Sequence, residues 1–234
     1  MKNLEIIKSN FGTFKGFSND YLFQKLKNDS AFSDEKIIEE IDETITSDSV
    51  CLDIGANIGI ITCYLAKKSK FVFAFEPQET IFNLLNENIK LNNLTNCKTY
   101  QFGCYSKSGN FKIAPQEMQD GFVGDMSRGY DYIKSIGSIS LIESKDGNIK
   151  AVRVDEIIDE QIDFIKVDAE GCDIDALIGC QKIIEKYSPK IICEYGDLSS
   201  SKFGRTMDDY VKFCLKNGYK IKRIDQANLF LQKK

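Results

Sequence analysis

The sequence predicts an α/β fold built around a mostly parallel sheet, with helices on both faces. Four short apolar runs have the length and continuity of strands that are buried on both sides. These runs are 50–54, 71–76, 162–168 and 190–194. Amphipathic helical patterns alternate with them, which is typical of parallel sheets with helical crossovers. Gly55 and Gly59 follow the first run and favour a tight turn into a helix, so a ligand site is expected at the carboxyl ends of the strands.

Composition limits the possible classes of protein. The chain has 234 residues, of which 42% are hydrophobic and 28% charged, enough to bury one full core with additions. The formal net charge of −4 provides no electrostatic footprint for nonspecific binding to nucleic acid or to an anionic membrane. No apolar run is long enough to span a bilayer, and the first residues lack the pattern of a secretory signal. We therefore expect a cytoplasmic protein that binds neither nucleic acid nor membrane.

The chain has eight cysteines and no histidine. The cysteines never form a CxxC pair and most have apolar neighbours, so we expect reduced thiols in the core. The absence of histidine removes the commonest general base and every metal site that contains histidine. Proton transfer must then use carboxylate, lysine, tyrosine, thiol or water, and no dedicated metal cluster is expected.

Residues 1–47 are expected to form an N-terminal helical and aromatic segment ahead of a main domain at 48–234. The first part of this segment holds aromatic side chains without a clean period. We expect it to pack over one edge of the core or to serve as the arm of a homodimer, because aromatic side chains dominate buried area. A helix is predicted from Ser33 as N-cap, with Ile37 and Ile41 on its apolar face.

The first half of the main domain alternates strands and helices. The predicted elements after the first strand are helices at 60–68 and 78–91 and a third strand at 98–102. A hairpin partner for this strand is expected at 110–114, with Gly109 in the turn. Residues 115–148 are polar and rich in glycine, and they predict an inserted loop near the glycine turn. We interpret this loop as an acceptor-binding lid.

The regular pattern resumes after the insertion. Besides the strands already named, the predicted elements are a strand at 151–155, helices at 173–185 and 206–216, and strands at 219–225 and 228–232. The last two strands alternate in polarity and are separated by a short turn. We therefore expect them to close the sheet as an antiparallel pair.

Two acids at predicted strand ends, Asp53 and Glu76, indicate a nucleoside site. An acid that ends the second strand of a doubly wound sheet, about 20 residues after the glycine turn, is placed to accept hydrogen bonds from both ribose hydroxyls. The spacing of Gly55 and Gly59 lacks the GxGxxG pattern of pyrophosphate sites. Asp53 would repel a pyrophosphate but would suit an ammonium group. A ligand with a ribose, an ammonium and no phosphate is S-adenosylmethionine.

The motifs LDIGANIG, FAFEP, NENIKLNN and IDFIKVDAEG occur in this order across residues 50–194. In these motifs the chain resembles the FkbM family of S-adenosylmethionine-dependent methyltransferases. The resemblance implies a class I, Rossmann-like sheet of seven strands with a reversed C-terminal strand. It also implies methyl transfer to oxygen, often on sugars or natural products.

The resemblance further implies which residues hold the cofactor. By position, the methionine part would be held by Asp53, Gly55, Ala56, Asn57 and Gly59. Glu76 would bind the ribose, Pro77 would shape the adenine edge, and backbone groups near Gly103 and Cys104 would complete it. Many family members carry an aspartate shortly after the third strand, where this chain offers Ser106.

A second group of charged residues lies at the ends of the fourth and fifth strands: Lys166, Asp168, Glu170 and Glu194. Lys166 and Asp168 are two residues apart and face the same side of a strand, so a structural ion pair is one interpretation. Catalysis is the other. In that hypothesis Asp168 or Glu170 accepts the proton of an acceptor hydroxyl, while Lys166 orients the acid or binds the acceptor.

These observations favour a methyltransferase that acts on a hydroxyl of a sugar, nucleotide sugar or glycan precursor. The same carboxylates would orient an amine, so N-methylation of a small metabolite is an alternative. Asp53 and the missing GxGxxG pattern argue against a further alternative, an NAD-dependent oxidoreductase. A noncatalytic module is a third, and it would bind the cofactor without turnover on any acceptor.

Overall fold

The structure is a computed structural model that describes residues 3–28, 35–115, 139–196 and 201–233. In chain order, its strands are β1 (Leu4–Ser9), β2 (Gly12–Phe17), β3 (Val50–Ile54), β4 (Phe71–Phe75), β5 (Cys97–Tyr100), β6 (Gly103–Cys104), β7 (Gly109–Ile113), β8 (Leu141–Glu143), β9 (Ile149–Val152), β10 (Phe164–Val167), β11 (Lys190–Glu194), β12 (Tyr219–Arg223) and β13 (Asn228–Lys233). Seven of them form the central sheet, in the order β12-β13-β11-β10-β3-β4-β5. Its pairs are parallel except for those of β13, which runs antiparallel to β11 and β12. The predicted mostly parallel sheet with a reversed C-terminal strand is confirmed.

Helices cover both faces of the central sheet. They are α1 (Tyr21–Lys27), α2 (Glu35–Thr44), α3 (Ile60–Lys68), α4 (Glu79–Leu91), α5 (Asp173–Gly179), α6 (Gln181–Tyr187) and α7 (Met207–Asn217). Leu52 and Ile54 of β3 pack into the core beneath α5, α6 and α7, whereas Cys51 packs into the core beneath α2 and α3. Burial on both faces explains the unbroken apolar runs of the central strands. Among the described residues, no helix has the length and apolar character needed to cross a membrane.

A second sheet of four strands has the order β6-β9-β7-β8. The predicted hairpin between 98–102 and 110–114 is wrong, because β7 begins at Gly109 and pairs with β8 and β9. Phe111 is the buried side chain of β7, and its ring centroid lies 4.9 Å from that of Tyr105. In the second sheet, β7 is therefore held by its pairing with β8 and β9 and by this contact with Tyr105, the residue after β6.

The predicted insertion at 115–148 lies largely outside the described residues, which resume at 139. Its described end is not an irregular loop, because it contains β8, which pairs with β7. The strand predicted at 151–155 is instead β9 followed by a single 3₁₀ turn at Val154–Glu156. Both corrections have one cause: β8 and β9 are only three and four residues long and contain at most one fully buried residue each, so they leave little apolar pattern in the sequence.

The helix predicted at 173–185 is two helices, α5 and α6, that meet at Cys180. Gly179 ends α5 against Tyr105, where an added Cβ would lie 2.3 Å from the Tyr105 carbonyl oxygen. The Cys180 N–H donates to the Leu177 carbonyl oxygen at 3.0 Å, three residues back rather than four. The helical hydrogen-bond pattern is interrupted there, although the apolar periodicity continues.

The N-terminal residues form a hairpin of β1 and β2 followed by α1. The irregular aromatic pattern did not predict this hairpin. The predicted N-cap Ser33 lies outside the described residues, and α2 begins at Glu35. Ile37 and Ile41 are buried on the predicted face of α2, and Ile45 is buried just after the helix.

Candidate active site

A cavity of about 300 Å³ opens at the carboxyl ends of β3, β4, β10 and β11. It brings together residues that the sequence singled out in separate parts of the chain. These residues are Asp53, Gly55, Ala56, Asn57, Glu76, Pro77, Cys104, Lys166, Asp168, Glu170 and Glu194. Gly59 lies behind the lining as the N-cap of α3, with a φ of 90° and its α-carbon packed toward Leu85. The volume is in the range of small-ligand sites.

The turn after β3 depends on backbone geometry. Gly55 has a φ of 80°, and an added Cβ would lie 1.8 Å from the Asp168 carbonyl oxygen. The N–H groups of Gly55 and Ala56 both donate to the Phe75 carbonyl oxygen, at 3.0 and 2.9 Å. Asn57 also adopts a left-handed conformation, with a φ of 51°, which asparagine tolerates. Conformation and close approach therefore both require glycine at position 55.

Glu76, directly after β4, holds the turn from the neighbouring strand. Its side chain is 2% exposed, and its two carboxylate oxygens accept the N–H groups of Asn57 at 3.1 Å and Gln78 at 2.8 Å. Each oxygen can accept a further hydrogen bond from a ligand. Burial raises the pKa of Glu76 to about 8, against the lowering effect of the two backbone donors.

Asp53 is a buried acid at the end of β3. The Thr62 hydroxyl donates to its carboxylate at 2.5 Å, and Lys166 stands opposite it in the register of β3 and β10. Burial raises the pKa of Asp53 to about 6, while the Thr62 hydrogen bond and the charge of Lys166 lower it. The main hydrogen-bond partner of the buried Asp53 carboxylate is therefore the Thr62 hydroxyl of α3.

Lys166 and Asp168 form the ion pair that their spacing predicted. The Lys166 ammonium lies 3.4 Å from the Asp168 carboxylate and donates to the Val167 carbonyl oxygen at 3.1 Å. Lys166 is 4% exposed, whereas 46% of the Asp168 side chain is exposed. The pair thus has a buried cation and a carboxylate that is open toward the cavity.

Glu170 occupies a tight turn after β10. It has a φ of 49° and is followed by Gly171 with a φ of 89°. Its carbonyl oxygen accepts a hydrogen bond from the Ser140 hydroxyl at 2.6 Å. Because Ser140 belongs to the predicted insertion, the described end of that segment contacts the site.

Asp173 is a site residue that sequence reasoning missed. Its buried carboxylate accepts the N–H groups of Ala169 and Glu194, both at 3.3 Å, and so joins the segment that follows β10 to the last residue of β11. Burial, followed by the charge of Asp168, raises the pKa of Asp173. Burial and the charges of Asp168 and Asp173 raise the pKa of Glu194 well above its usual value. Asp173 begins a predicted helix, where an acid is common, so the sequence carried no separate signal for it.

Ser106 does not line the cavity. Its hydroxyl donates to the Asp175 carboxylate at 3.0 Å, and Arg205 binds the same carboxylate through two nitrogen atoms at 2.9 and 2.6 Å. The cavity wall on this side is formed by Cys104 and its neighbours, which include Phe102 and Tyr105. Among the residues that the structure describes, no group of three or more cysteine or carboxylate side chains is arranged to hold a metal ion.

The order and directions of the strands in the central sheet are those of the class I methyltransferase fold. Three solved structures of this fold illustrate the likeness. FkbM from Methylobacillus flagellatus KT gives a TM-score of 0.53 at 18% identity, over 91% of this chain and 55% of the other. An rRNA methylase from Streptococcus thermophilus gives 0.51 at 13%, over 84% and 93%. A putative methyltransferase from Streptococcus mutans, solved with S-adenosylhomocysteine (SAH), gives 0.52 at 12%, over 86% and 97%.

The chain belongs to the methyltransferase FkbM domain family, whose model matches residues 53–221. S-adenosylmethionine is the cofactor of this domain. The resemblance seen in the motifs is thereby confirmed, and the match decides against an NAD-dependent oxidoreductase.

Two curated relatives are also methyltransferases by name. Methyltransferase 1 of Beauveria bassiana is 22% identical over 66% of this chain and 69% of its own length. Methyltransferase sdnD of Sordaria araneosa is 25% identical over 58% and 61%. The chain spans little more than half of the Methylobacillus structure and 61% of the Sordaria protein.

Proposed function

We propose that the protein transfers a methyl group from S-adenosylmethionine to a hydroxyl of a sugar, nucleotide sugar or glycan precursor. The observation that carries this proposal is the Lys166–Asp168 pair. The Asp168 side chain is 46% exposed, and it lies in a cavity that is also lined by the glycine turn after β3. A carboxylate in this position is suited to accept a hydroxyl proton in a protein that has no histidine.

The residues around the glycine turn fit the cofactor. We assign the methionine part to Asp53, Gly55, Ala56, Asn57 and Gly59, with Gly59 acting through the backbone at the start of α3. The ribose hydroxyls are assigned to the Glu76 carboxylate, which is fixed by two backbone donors and retains acceptor capacity. Pro77 and Cys104 are assigned to the adenine edge. When bound there, S-adenosylmethionine supplies an electrophilic methyl group on a sulfonium.

We call the part of the cavity around Lys166, Asp168 and Glu170 the acceptor half, and the part around the glycine turn and Glu76 the donor half. The acceptor half supplies the base. Asp168 accepts the hydroxyl proton, and the Lys166 ammonium at 3.4 Å holds the carboxylate in place. Glu170 follows in the same tight turn and provides a second carboxylate for an acceptor hydroxyl. Positioning of the hydroxyl against the methyl group contributes the rest of the rate, since methyl transfer needs an in-line approach.

N-methylation of a small amine is the second candidate, and the charge balance of the cavity supports it. Carboxylates of Asp168, Glu170 and Glu194 line the cavity together with Lys166, while Asp173 lies just behind them. Such an excess of acid attracts a cationic amine, and Asp168 would take a proton from it so that the nitrogen lone pair can accept the methyl group. The same excess disfavours a polyanionic acceptor, so we propose a small molecule rather than nucleic acid, although a fold neighbour is named an rRNA methylase. A cytoplasmic location and a homodimer through the N-terminal segment stay predictions.

The test is transfer of an isotope-labelled methyl group from S-adenosylmethionine to panels of nucleotide sugars, oligosaccharides, amines and RNA. We expect label on a sugar hydroxyl, located by NMR and mass spectrometry. Label on nitrogen alone would replace the main proposal with the second candidate. Label on RNA would contradict the small-molecule acceptor. SAH binding without transfer to any panel would favour a noncatalytic module.

A further inference from the structure

The N-terminal unit, defined as β1, β2 and α1, forms part of the wall of the cofactor cavity. Tyr21 and Leu22, the first two residues of α1, line the cavity together with Ile60 and Ile61 of α3. We infer that the ring of Tyr21 contacts the bound cofactor and encloses it on this side. This inference rests on the proposed function, and it assigns a binding role to a residue outside the family match at 53–221.

Asn88 of α4 and Asn92, the C-cap residue of that helix, bind the hairpin to the main domain. Asn92 accepts the Thr13 N–H at 3.1 Å and donates to the Thr13 carbonyl oxygen at 2.7 Å. Asn88 accepts the Lys15 N–H at 2.6 Å and donates to the Lys15 carbonyl oxygen at 3.0 Å. Each amide thus replaces a strand neighbour for one residue of β2, so the hairpin has a defined position on α4.

Asn88 also connects the hairpin to the glycine turn. Its amide donates to the Ile58 carbonyl oxygen at 2.8 Å, and its side chain is fully buried. Phe14 and Phe23 of the N-terminal unit are fully buried in the core that also contains Ala56 and Ile58. The N-terminal unit and the glycine turn therefore pack against each other in one core, and Tyr21 has a defined position relative to the turn.

The start of α1 sets where Tyr21 lies. Asp20 is the N-cap, and its carboxylate accepts the Phe23 N–H at 3.0 Å. Leu22 packs against the core beside the glycine turn, so the unit adjoins the donor half of the cavity. Tyr21 is 44% exposed, with the Lys25 ammonium 4.5 Å from its ring centroid. A half-exposed ring on a rigid frame at a cavity wall has apolar surface that a bound ligand would cover.

The first test is calorimetric titration of the full chain with SAH. We expect Tyr21→Ala to weaken SAH binding about tenfold, the loss typical of an aromatic ring that covers a ligand. The matched control is Tyr187→Ala on α6, because Tyr187 is half-buried, carries the Lys186 ammonium 4.7 Å from its ring centroid, and lies outside the cavity lining. Equal affinity of Tyr21→Ala and wild type would overturn the inference.

The second test uses the absence of tryptophan from the chain. In Tyr21→Trp the new indole is the sole tryptophan, and we expect SAH to shift its emission and to lower its quenching by acrylamide about twofold or more, since the ligand covers the ring. Tyr187→Trp should show no change. If SAH saturates Tyr21→Trp in calorimetry while emission and quenching stay constant, Tyr21 does not contact the ligand.

The two proposals fail in distinguishable ways. Wild-type protein that does not bind SAH would remove the proposed function. Wild-type protein that binds SAH, with Tyr21 variants that neither lose affinity nor report binding, would remove only this inference. Far-UV circular dichroism of each variant checks that the hairpin and the core remain folded.

Discussion

The two halves of the cavity are held in place by different kinds of interaction. In the donor half, Gly55, Asn57 and Glu76 are held by backbone conformation and backbone hydrogen bonds. In the acceptor half, Lys166 and Asp168 belong to a cluster of ionisable side chains in which burial, followed by the charge of Asp168, raises the pKa of Asp173 and of Glu194. In the proposed assignment, the donor half binds one invariant ligand, S-adenosylmethionine, and needs a single geometry. The acceptor half would bind its ligand through ionisable side chains, whose charge depends on pH and on the bound ligand.

This difference predicts that changes in the acceptor half act on turnover, whereas changes in the donor half act on folding and cofactor affinity. Asp168→Asn keeps the shape of the side chain but removes the proposed base. We expect turnover to fall about 100- to 10,000-fold, the usual contribution of a positioned general base, with SAH affinity nearly unchanged. Single-turnover kinetics and calorimetry measure the two quantities.

The control is Asp159→Asn, because Asp159 is a fully exposed acid 3.7 Å from Lys186 and lies outside the cavity lining. It should keep wild-type turnover. Near-normal turnover of Asp168→Asn would show that the Lys166–Asp168 pair is structural and that the base is another group.

Gly55→Ala tests the backbone construction of the donor half. Its Cβ would lie 1.8 Å from the Asp168 carbonyl oxygen at a φ of 80°, so we expect a loss of about 2–4 kcal/mol in the free energy of unfolding. Gly204→Ala is the matched control, with a φ of 69° and no atom within 4 Å of the added Cβ. It should cost about 1 kcal/mol, the conformational cost alone. Equal losses in urea denaturation would mean that close approach is unimportant at Gly55.

The buried Glu76 predicts a smaller, pH-dependent effect. Its pKa rises from 4.5 to about 8 on folding, so the folded state holds the proton more tightly. The resulting stabilisation is complete below pH 4.5 and is lost as pH rises through about 8. We expect the melting temperature of the ligand-free protein to fall further between pH 5 and pH 8 in wild type than in Glu76→Gln. An equal fall in melting temperature between pH 5 and pH 8 for the two proteins would contradict the raised pKa of Glu76.

The central sheet was predictable because its strands are buried on both faces and follow one another with helices between them. The position of Asp53 and Glu76 in one cavity was predictable once the strands were identified, because the carboxyl ends of parallel strands meet at one edge of the sheet. Asp173 was not, because its role depends on two chain segments that only the fold brings together.

The second sheet and the N-terminal hairpin escaped prediction for a different physical reason. A strand was predicted at 110–114, but Phe111 is the one buried residue of β7, so the apolar pattern did not indicate that this strand pairs with β8 and β9. The hairpin gains its position from the amides of Asn88 and Asn92, which lie more than 70 residues away in the chain. Tyr21 therefore gave no sequence signal of a place in the cavity.

The most direct test of a donor half that is organised by Glu76 is calorimetry with SAH on wild type, Glu76→Ala and Glu185→Ala, an exposed acid of α6. We predict that wild type and Glu185→Ala bind alike and that Glu76→Ala binds about 100-fold more weakly, because the hydrogen bonds between both ribose hydroxyls and the Glu76 carboxyl group are lost. Unchanged affinity of folded Glu76→Ala, or no binding by wild type, would contradict this assignment of the cavity.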